Sequence, residues 1–353
     1  MGFGIELVTN DVNGTVCMWK RTNETFECVK QVNEEKDCYW NSVRAAPNRP
    51  YIVTAHRILA KLWNTETCKC VLIINNLDLL FCVALSDEYV ATGYDEVVKL
   101  FDYIGNEVAT FRAKSLLNCI SFSPDGKKIA YCDCDGFVPI WNIAAKEKLF
   151  TLEHQRREPV CGISWSPDGR NIITSCHGDC FIWNDGTMIG VLQCNIKLVT
   201  NILYSPDGAF IATAGDGIIF IWDNETKVQL FSLRGHKEVI DGTSNITGLS
   251  FTSDSKLLAS SCNDGTSRIW DVESRKCIQV INHNVSLVHV SGKGVAFIPI
   301  DQQAVEKRHE VMFAVSMIME KMPDELYIPP EIWYPCLKHT YWRDWKSLSD
   351  DQT

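Results

Sequence analysis

Two short stretches of the sequence contain residue types that could form a nucleophile or a metal site: one has a thiol beside a histidine, and the other has two thiols. Cys176 and His177 are followed by Asp179, and thiol, imidazole and carboxylate are the groups that nucleophilic catalysis and zinc binding use. Cys132 and Cys134 place two thiols on one face of a strand, at a spacing too short for a zinc knuckle without further ligands. The sequence shows no glycine-rich phosphate loop, no G-x-S-x-G elbow and no H-E-x-x-H helix. We therefore predict no catalytic residue, no metal and no cofactor.

The chain contains 16 cysteines in 353 residues, and most of them recur at similar points of a repeating pattern. Free cysteine packs as a small hydrophobic side chain, so we expect these residues to serve packing rather than disulfide, zinc or redox chemistry. Cys82, Cys119 and Cys161 fall in predicted first strands, and Cys28, Cys68, Cys70 and Cys277 in predicted fourth strands. An enzyme would need a reactive thiol or a bound metal among these residues.

The elements that must position these groups are short strands ending in an aromatic residue, spaced 38 to 48 residues apart. A period of this length is typical of β-propeller blades, in which each repeat forms one four-stranded sheet. An Asp or Asn follows the aromatic residue in the last six units. The seven anchors are Trp19, Trp63, Phe101, Trp141, Trp183, Trp222 and Trp270.

Two turn signals accompany the anchors. Six residues before the anchor stands Asp95, Asp135, Asp216 or Asp264, with Asn13 in the first unit, and Gly follows in four of these five units. Such pairs predict tight turns between two strands. The turn Ser123-Pro124-Asp125-Gly126 recurs at 166–169 and 205–208, with a degraded copy at 252–255; Pro presets φ and Gly supplies a positive φ.

These features resemble the WD-repeat (WD40) family over about residues 5 to 300. The resemblance implies an all-β, seven-bladed β-propeller and, in one unit, a structural tetrad formed by His236, Ser260, Asp264 and Trp270. In that tetrad, hydrogen bonds run from Asp to His to Ser to Trp. Elsewhere the pattern is eroded, because His154 and His283 lack the preceding Gly and Arg57 and His177 replace the turn Asp.

Closure of the ring requires a strand from the C-terminal side, since the N-terminal unit begins at its second strand. The segment 294–300 is a candidate for the missing first strand, and closure removes exposed sheet edges. An eighth blade using 311–317 is the alternative, but Pro329-Pro330 interrupts it. We predict a propeller at 1–301 and a short helical C-terminal extension at 302–353.

The C-terminal extension carries no repeat signature. Residues 302–322 have helical composition, and Pro329 and Pro330 open a possible second helix. The extension could cap an edge of the propeller, or it could be an exposed docking segment with aromatic anchors. The run Pro-Pro-Glu-Ile-Trp around Trp333 resembles the opening of F-box-type helices, which would imply a ubiquitin-ligase component as a partner.

Charge and hydropathy limit the possible partners. The formal net charge of -10 argues against a general phosphate-backbone binder, so we expect no nucleic acid partner. The sequence has neither an apolar run of about 18 residues nor a signal-type N-terminus, so we expect no membrane span and a cytoplasmic location, with the nucleus as an alternative.

Propellers of this type bind partners through loops around a central channel. The resemblance places Trp40, His56, Arg57, Tyr94, Leu116, His177 and Asp241 on the top face. Packing inside its strand is an equal alternative for Trp40. We predict a non-enzymatic scaffold or adaptor binding proteins or peptides on this face within a multiprotein complex. The alternative is a substrate receptor of a ubiquitin ligase that docks through the C-terminal segment.

Overall fold

The computed structural model describes residues 6–10, 15–22, 25–33, 41–56, 58–75, 80–154, 158–237, 245–283 and 295–297. Trp40, Arg57, Asp241 and the whole predicted extension 302–353, with its helices and its F-box-like start, lie outside these residues and remain predictions. The same holds for the domain limits. The described part of the chain contains no helix with the length and hydrophobicity needed to cross a membrane.

The described residues form seven antiparallel sheets of four strands each, which confirms the predicted all-β, seven-bladed propeller. Blade 1 contains β1 (Leu7–Asn10), β2 (Thr15–Thr22) and β3 (Thr25–Asn33), joined by β28 (Val295–Phe297). Blade 2 contains β4 (Asn41–Ala45), β5 (Tyr51–His56), β6 (Leu59–Asn64) and β7 (Lys69–Asn75). Blade 3 contains β8 (Leu80–Leu85), β9 (Tyr89–Tyr94), β10 (Val97–Asp102) and β11 (Glu107–Arg112). Blade 4 contains β12 (Leu117–Phe122), β13 (Lys128–Asp133), β14 (Phe137–Asn142) and β15 (Glu147–Glu153).

The other three blades follow the same order along the chain. Blade 5 contains β16 (Val160–Trp165), β17 (Asn171–Cys176), β18 (Asp179–Asn184) and β19 (Thr187–Gln193). Blade 6 contains β20 (Asn201–Tyr204), β21 (Phe210–Gly215), β22 (Ile218–Asp223) and β23 (Gln229–Arg234). Blade 7 contains β24 (Ile246–Phe251), β25 (Leu257–Cys262), β26 (Thr266–Asp271) and β27 (Lys276–Asn282). We call the face that carries the turns between second and third strands the top face, and the opposite face the bottom face.

The first strand of blade 1 comes from the far end of the described chain. β28 pairs antiparallel with β1, with Phe297 opposite Leu7 and Val295 opposite Thr9. The opposite edge of β1 pairs with β2, so the four strands of the blade combine residues almost 300 positions apart. This pairing covers an edge that would otherwise present unpaired backbone groups.

The core consists of apolar layers between neighbouring blades. Val138 and Ile140 of blade 4, for example, pack in one cluster with Val160 and Trp165 of blade 5. Eight of the cysteines that the structure describes are buried, and seven of them join such layers. Cys28 and Cys70 are exposed instead, because alternate residues of an outermost strand face solvent, and Cys68 precedes its strand rather than lying in it.

In six of the seven blades, a hydrogen bond explains the tryptophan of the third strand. The indole N–H donates to a hydroxyl on the adjacent second strand in six blades. The pairs are Trp19–Thr9 (3.0 Å), Trp63–Thr54 (3.0 Å), Trp141–Tyr131 (3.1 Å), Trp183–Thr174 (2.8 Å), Trp222–Thr213 (2.9 Å) and Trp270–Ser260 (2.9 Å). Blade 3 has Phe101 at this position, and a phenyl ring has no donor. A buried indole needs such a partner, so the pairing fixes the ring against the second strand.

The turns between the first and second strands also follow from their residues. Ser123 Oγ lies 2.6 Å from Asp125 Oδ1 and accepts the N–H of Lys128 at 2.9 Å, and Gly126 has a φ of +69°. The degraded copy keeps the same bond between Thr252 and Asp254 at 2.6 Å. Its fourth residue, Ser255, takes the positive φ (+59°) that Gly takes in the other copies.

Candidate functional site

Three of the residues predicted for the top face lie in described turns and loops at that end of the ring. Tyr94 ends β9, His177 stands in the turn after β17, and Leu116 lies in the loop before β12. The backbone of His56 ends β5, and its side chain lies outside the described set.

The loops that enter blades 4 and 6 are tied to the turn of the preceding blade. The N–H of Leu117 donates to the carbonyl of Asp95 at 2.8 Å, and the N–H of Val199 donates to the carbonyl of His177 at 2.6 Å. Leu117 and Val199 are buried first residues of equivalent segments. The residues directly before them, Leu116 and Leu198, therefore occupy equivalent positions, and each adjoins a residue that is held by a backbone bond.

Two glycines let the loop 194–200 lie close over the neighbouring turns. A Cβ at Gly178 would stand 2.1 Å from the carbonyl oxygen of Ile196, and a Cβ at Gly215 would stand 2.0 Å from that of Leu198. Neither distance is compatible with a side chain. The close approach fixes the height of the loop above blades 5 and 6, and with it the position of Leu198.

Aliphatic side chains remain exposed on these two anchored loops and in the turn between β5 and β6 of blade 2. The exposed fraction is 49% for Leu116, 42% for Ile58 and 36% for Leu198. Sequence reasoning missed Ile58 and Leu198. The available signal was positional, because Leu198 precedes the first buried residue of its blade as Leu116 does.

The Cys176–His177 pair does not have the geometry of an activated nucleophile. The thiol of Cys176 points to Glu158, with its carbonyl oxygen at 3.6 Å and Oε2 at 3.9 Å. Nδ1 of His177 lies 3.7 Å from the same Oε2, and about half of the imidazole is exposed. A carboxylate beside a thiol disfavours the thiolate, which is the reactive form.

The four residues assigned to the tetrad form one hydrogen-bonded chain in blade 7. Nδ1 of His236 lies 3.1 Å from Oδ2 of Asp264, Nε2 of His236 lies 2.8 Å from the hydroxyl of Ser260, and Ser260 accepts the indole N–H of Trp270. The chain links the loop after β23 to β25 and β26. It connects three separate segments of the sequence at the top of this blade.

Asp264 anchors this chain electrostatically. Burial alone would raise the pKa of Asp264, but the bond and charge of His236, the N–H of Lys237 (2.9 Å) and the hydroxyl of Thr266 (2.7 Å) outweigh it. They hold the pKa of Asp264 well below its usual range. A carboxylate with this many donors stays ionised at neutral pH and orients the imidazole.

His236, Cys262 and Asp264 are also the one group of three potential metal ligands among the described residues, with ligand atoms within 4.8 Å of one another. Both ring nitrogens of His236 already face hydrogen-bond partners, Asp264 and Ser260. Metal binding through either nitrogen would break the chain to Trp270, so this geometry favours the hydrogen-bonded arrangement.

Blade 5 contains a shorter version of the same chain. Thr174 accepts the indole N–H of Trp183, and its hydroxyl lies 3.1 Å from Nε2 of His154. The imidazole is buried edge-on against Phe181, with ring centroids 4.9 Å apart. This burial lowers the pKa of His154 to about 4, so the ring is neutral at pH 7 and can accept the Thr174 proton.

Comparison with protein families gives two matches. The model of the WD domain, G-beta repeat matches residues 186–223 and 227–271. Each match runs from a fourth strand through the third strand of the next blade, the same offset that requires β28 to complete blade 1. The model of eukaryotic translation initiation factor eIF2A matches residues 86–181.

Several curated proteins are similar to parts of the chain. The vacuolar protein sorting-associated protein 41 homolog of Arabidopsis thaliana is 32% identical over 93 residues, 26% of this chain and 9% of that protein. Human WD repeat and HMG-box DNA-binding protein 1 is 30% identical over 64 residues, 18% of this chain and 6% of that protein. The WD repeat-containing protein 91 homolog of Dictyostelium discoideum is 27% identical over 182 residues, 50% of this chain and 23% of that protein.

The chain spans less than a quarter of the length of each of these three relatives. The names of two of these proteins contain the WD repeat that the family model also matches in this chain. The seven four-stranded blades and the two matched repeats together support a β-propeller of the WD-repeat (WD40) family.

Proposed function

We propose that the protein is a non-enzymatic scaffold that binds protein or peptide partners on the top face of the propeller. The observation that carries this proposal is the set of exposed aliphatic side chains, Ile58, Leu116 and Leu198, on turns and loops at that face. Family membership supports a role in protein interaction, because a propeller displays loops on a rigid ring and binding sites are grafted onto those loops.

The fixed position of these loops favours the binding of a partner to their exposed side chains. Leu116 and Leu198 each precede a residue, Leu117 or Val199, whose N–H bonds to the preceding blade. Gly178 and Gly215 allow the close approach that fixes Leu198. A partner that covers these side chains gains their apolar area without the entropy cost of ordering a mobile loop. Tyr94 adds an aromatic residue of the type enriched at the centres of interfaces.

The partner that fits such a surface is a protein segment with apolar side chains. Exposed leucine and isoleucine attract apolar groups and offer nothing to a phosphate backbone, which needs clustered lysine and arginine. The net charge of -10 works in the same direction.

Affinity purification with the intact chain tests the proposal. We expect the double variant Leu116→Asp/Leu198→Asp to lose at least one partner that the wild-type chain retains, because two carboxylates would be buried in the interface. The matched control is Ile189→Asp on the outer strand β19, where the side chain is 56% exposed but far from the top loops. A partner list that is the same for the double variant and the wild type would refute the choice of face.

A further inference from the structure

A groove of about 420 Å³ opens on the bottom face between blades 6 and 7. Phe210, Leu230 and Phe231 of blade 6 and Val272 of blade 7 form its apolar wall. Leu230 is 45% exposed, and the guanidinium carbon of Arg275 lies 4.6 Å from the ring centroid of Phe231. An apolar wall beside an arginine–aromatic pair suits an aromatic side chain, which can pack against the wall and stack on the guanidinium.

The rim of this groove carries a small excess of negative charge. Asp207, Asp254 and Glu273 line it together with two cations, Lys256 and Arg275. An occupant with a net positive charge is therefore favoured over an acidic one.

The last described strand, β28, ends at the bottom face, and its blade 1 lies next to blade 7 of the groove. Phe297 pairs with Leu7, and the preceding residue, Glu6, lies within electrostatic range of Asp254 on the groove rim. Burial raises the pKa of Glu6, and the charge of Asp254 adds to that shift. First strands run from the top face to the bottom face, so β28 ends at the bottom face with Phe297.

We propose that the groove receives the aromatic segment 327–346 of the same chain. This segment carries three lysines or arginines against two acidic residues, which complements the acidic rim. The 29 residues between 298 and 326 span up to about 95 Å when extended, far more than the path to a neighbouring blade requires. The aromatic residues available are Tyr327, Trp333, Tyr334, Tyr341, Trp342 and Trp345.

This contact is independent of the proposed partner surface, because it lies on the opposite face of the ring. It assigns the C-terminal segment to the propeller itself. Substitution of Leu230 or Arg275 should therefore release that segment from the groove.

Photo-crosslinking in the full-length chain tests the proposal. We replace Leu230 by benzoylphenylalanine and irradiate a dilute mixture of isotopically light and heavy chains. The expected adduct joins position 230 to a peptide within 327–346, with both halves from the same chain. The control is the same replacement at Leu149, which is 39% exposed and occupies the equivalent position of blade 4, directly before Phe150 as Leu230 is before Phe231.

Three results would overturn the proposal: an adduct that joins light and heavy chains, an adduct to another region, or no adduct at position 230. A second measurement uses trypsin on the folded protein. Cleavage after Lys338, Arg343 and Lys346 should be several-fold faster in Leu230→Glu than in the wild type and in Leu149→Glu. Equal cleavage rates in the three proteins would contradict it. Both leucines are partly exposed, so neither substitution removes a core side chain.

Discussion

Removing the hydroxyl of Thr174 should destabilise blade 5 far more than the same change in blade 3. Thr174 contacts two buried groups, the indole N–H of Trp183 at 2.8 Å and Nε2 of His154 at 3.1 Å. Thr174→Val keeps the shape of the side chain but leaves both groups without this partner. The cost in the free energy of unfolding is about 1–3 kcal/mol for each buried unsatisfied group, or about 2–6 kcal/mol in total.

The assay is thermal unfolding, with the two variants compared under identical conditions. For about 300 ordered residues, the unfolding entropy makes 1 kcal/mol equivalent to about 1.6 °C, so we expect Tm to fall by about 3–10 °C. The matched control is Thr110→Val in blade 3, whose hydroxyl bonds to the exposed carboxylate of Glu107 at 2.6 Å, so that its removal leaves no buried group unsatisfied. We expect a clearly smaller fall in that variant.

A double-mutant cycle isolates the bond itself. The combination Thr174→Val/Trp183→Phe should cost less than the sum of the two single changes, because either change alone already breaks the indole bond. Equal losses of stability for Thr174→Val and Thr110→Val, or strict additivity in the cycle, would refute the view that these bonds stabilise the blades.

Three further changes probe the same account. The pKa of His154 is about 4 in the folded protein and near 6.5 in an unfolded chain, so the unfolded state takes up the proton first as the pH decreases. The contribution of His154 to the free energy of unfolding should therefore be complete above pH 6.5 and fall by about 3 kcal/mol as the pH decreases to 4. Urea unfolding at several pH values measures this, and a slope that is the same in His154→Phe would contradict it. Asp264→Asn should lower the free energy of unfolding by about 1–3 kcal/mol, because it weakens the bonds to His236, Lys237 and Thr266. Asp135→Asn, at an exposed turn Asp, should lower it by less than about 0.5 kcal/mol. Equal losses would show that the hydrogen-bonded tetrad in blade 7 has no special role. Gly178→Ala should lower the free energy of unfolding by about 1–3 kcal/mol, because its Cβ would meet the Ile196 carbonyl oxygen at 2.1 Å. Gly190→Ala, whose Cβ would meet Ile182 at 3.7 Å, should be neutral or stabilise by up to about 1 kcal/mol. Melting temperatures in the reverse order would refute the packing of the loop 194–200.

The fold was predictable because its signals are local and repeated. Each third strand carries an aromatic residue, and the first turns of blades 4 to 7 fix their own backbone through Ser or Thr, Asp and a positive φ. These features need no long-range information. Seven copies at a regular period therefore specify the blades even where the His and the turn Asp of the tetrad are lost.

The candidate site was less predictable because it depends on contacts between blades. The exposure of Leu198 follows from a loop that lies against the turns of blades 5 and 6, and a single repeat does not show this. The chain from His154 through Thr174 to Trp183 was missed for a related reason. His154 lacks the usual preceding Gly, and only the structure shows that its ring reaches Thr174.

Amide hydrogen exchange on the complex between the wild-type chain and a protein that it captures tests the scaffold proposal most directly. We expect partner binding to protect the top-face segments 94–96, 113–117 and 195–200, while exchange in the outer strands β15 and β19 stays unchanged. Protection confined to the outer strands or the bottom face, with no change in the top-face segments, would contradict the proposal.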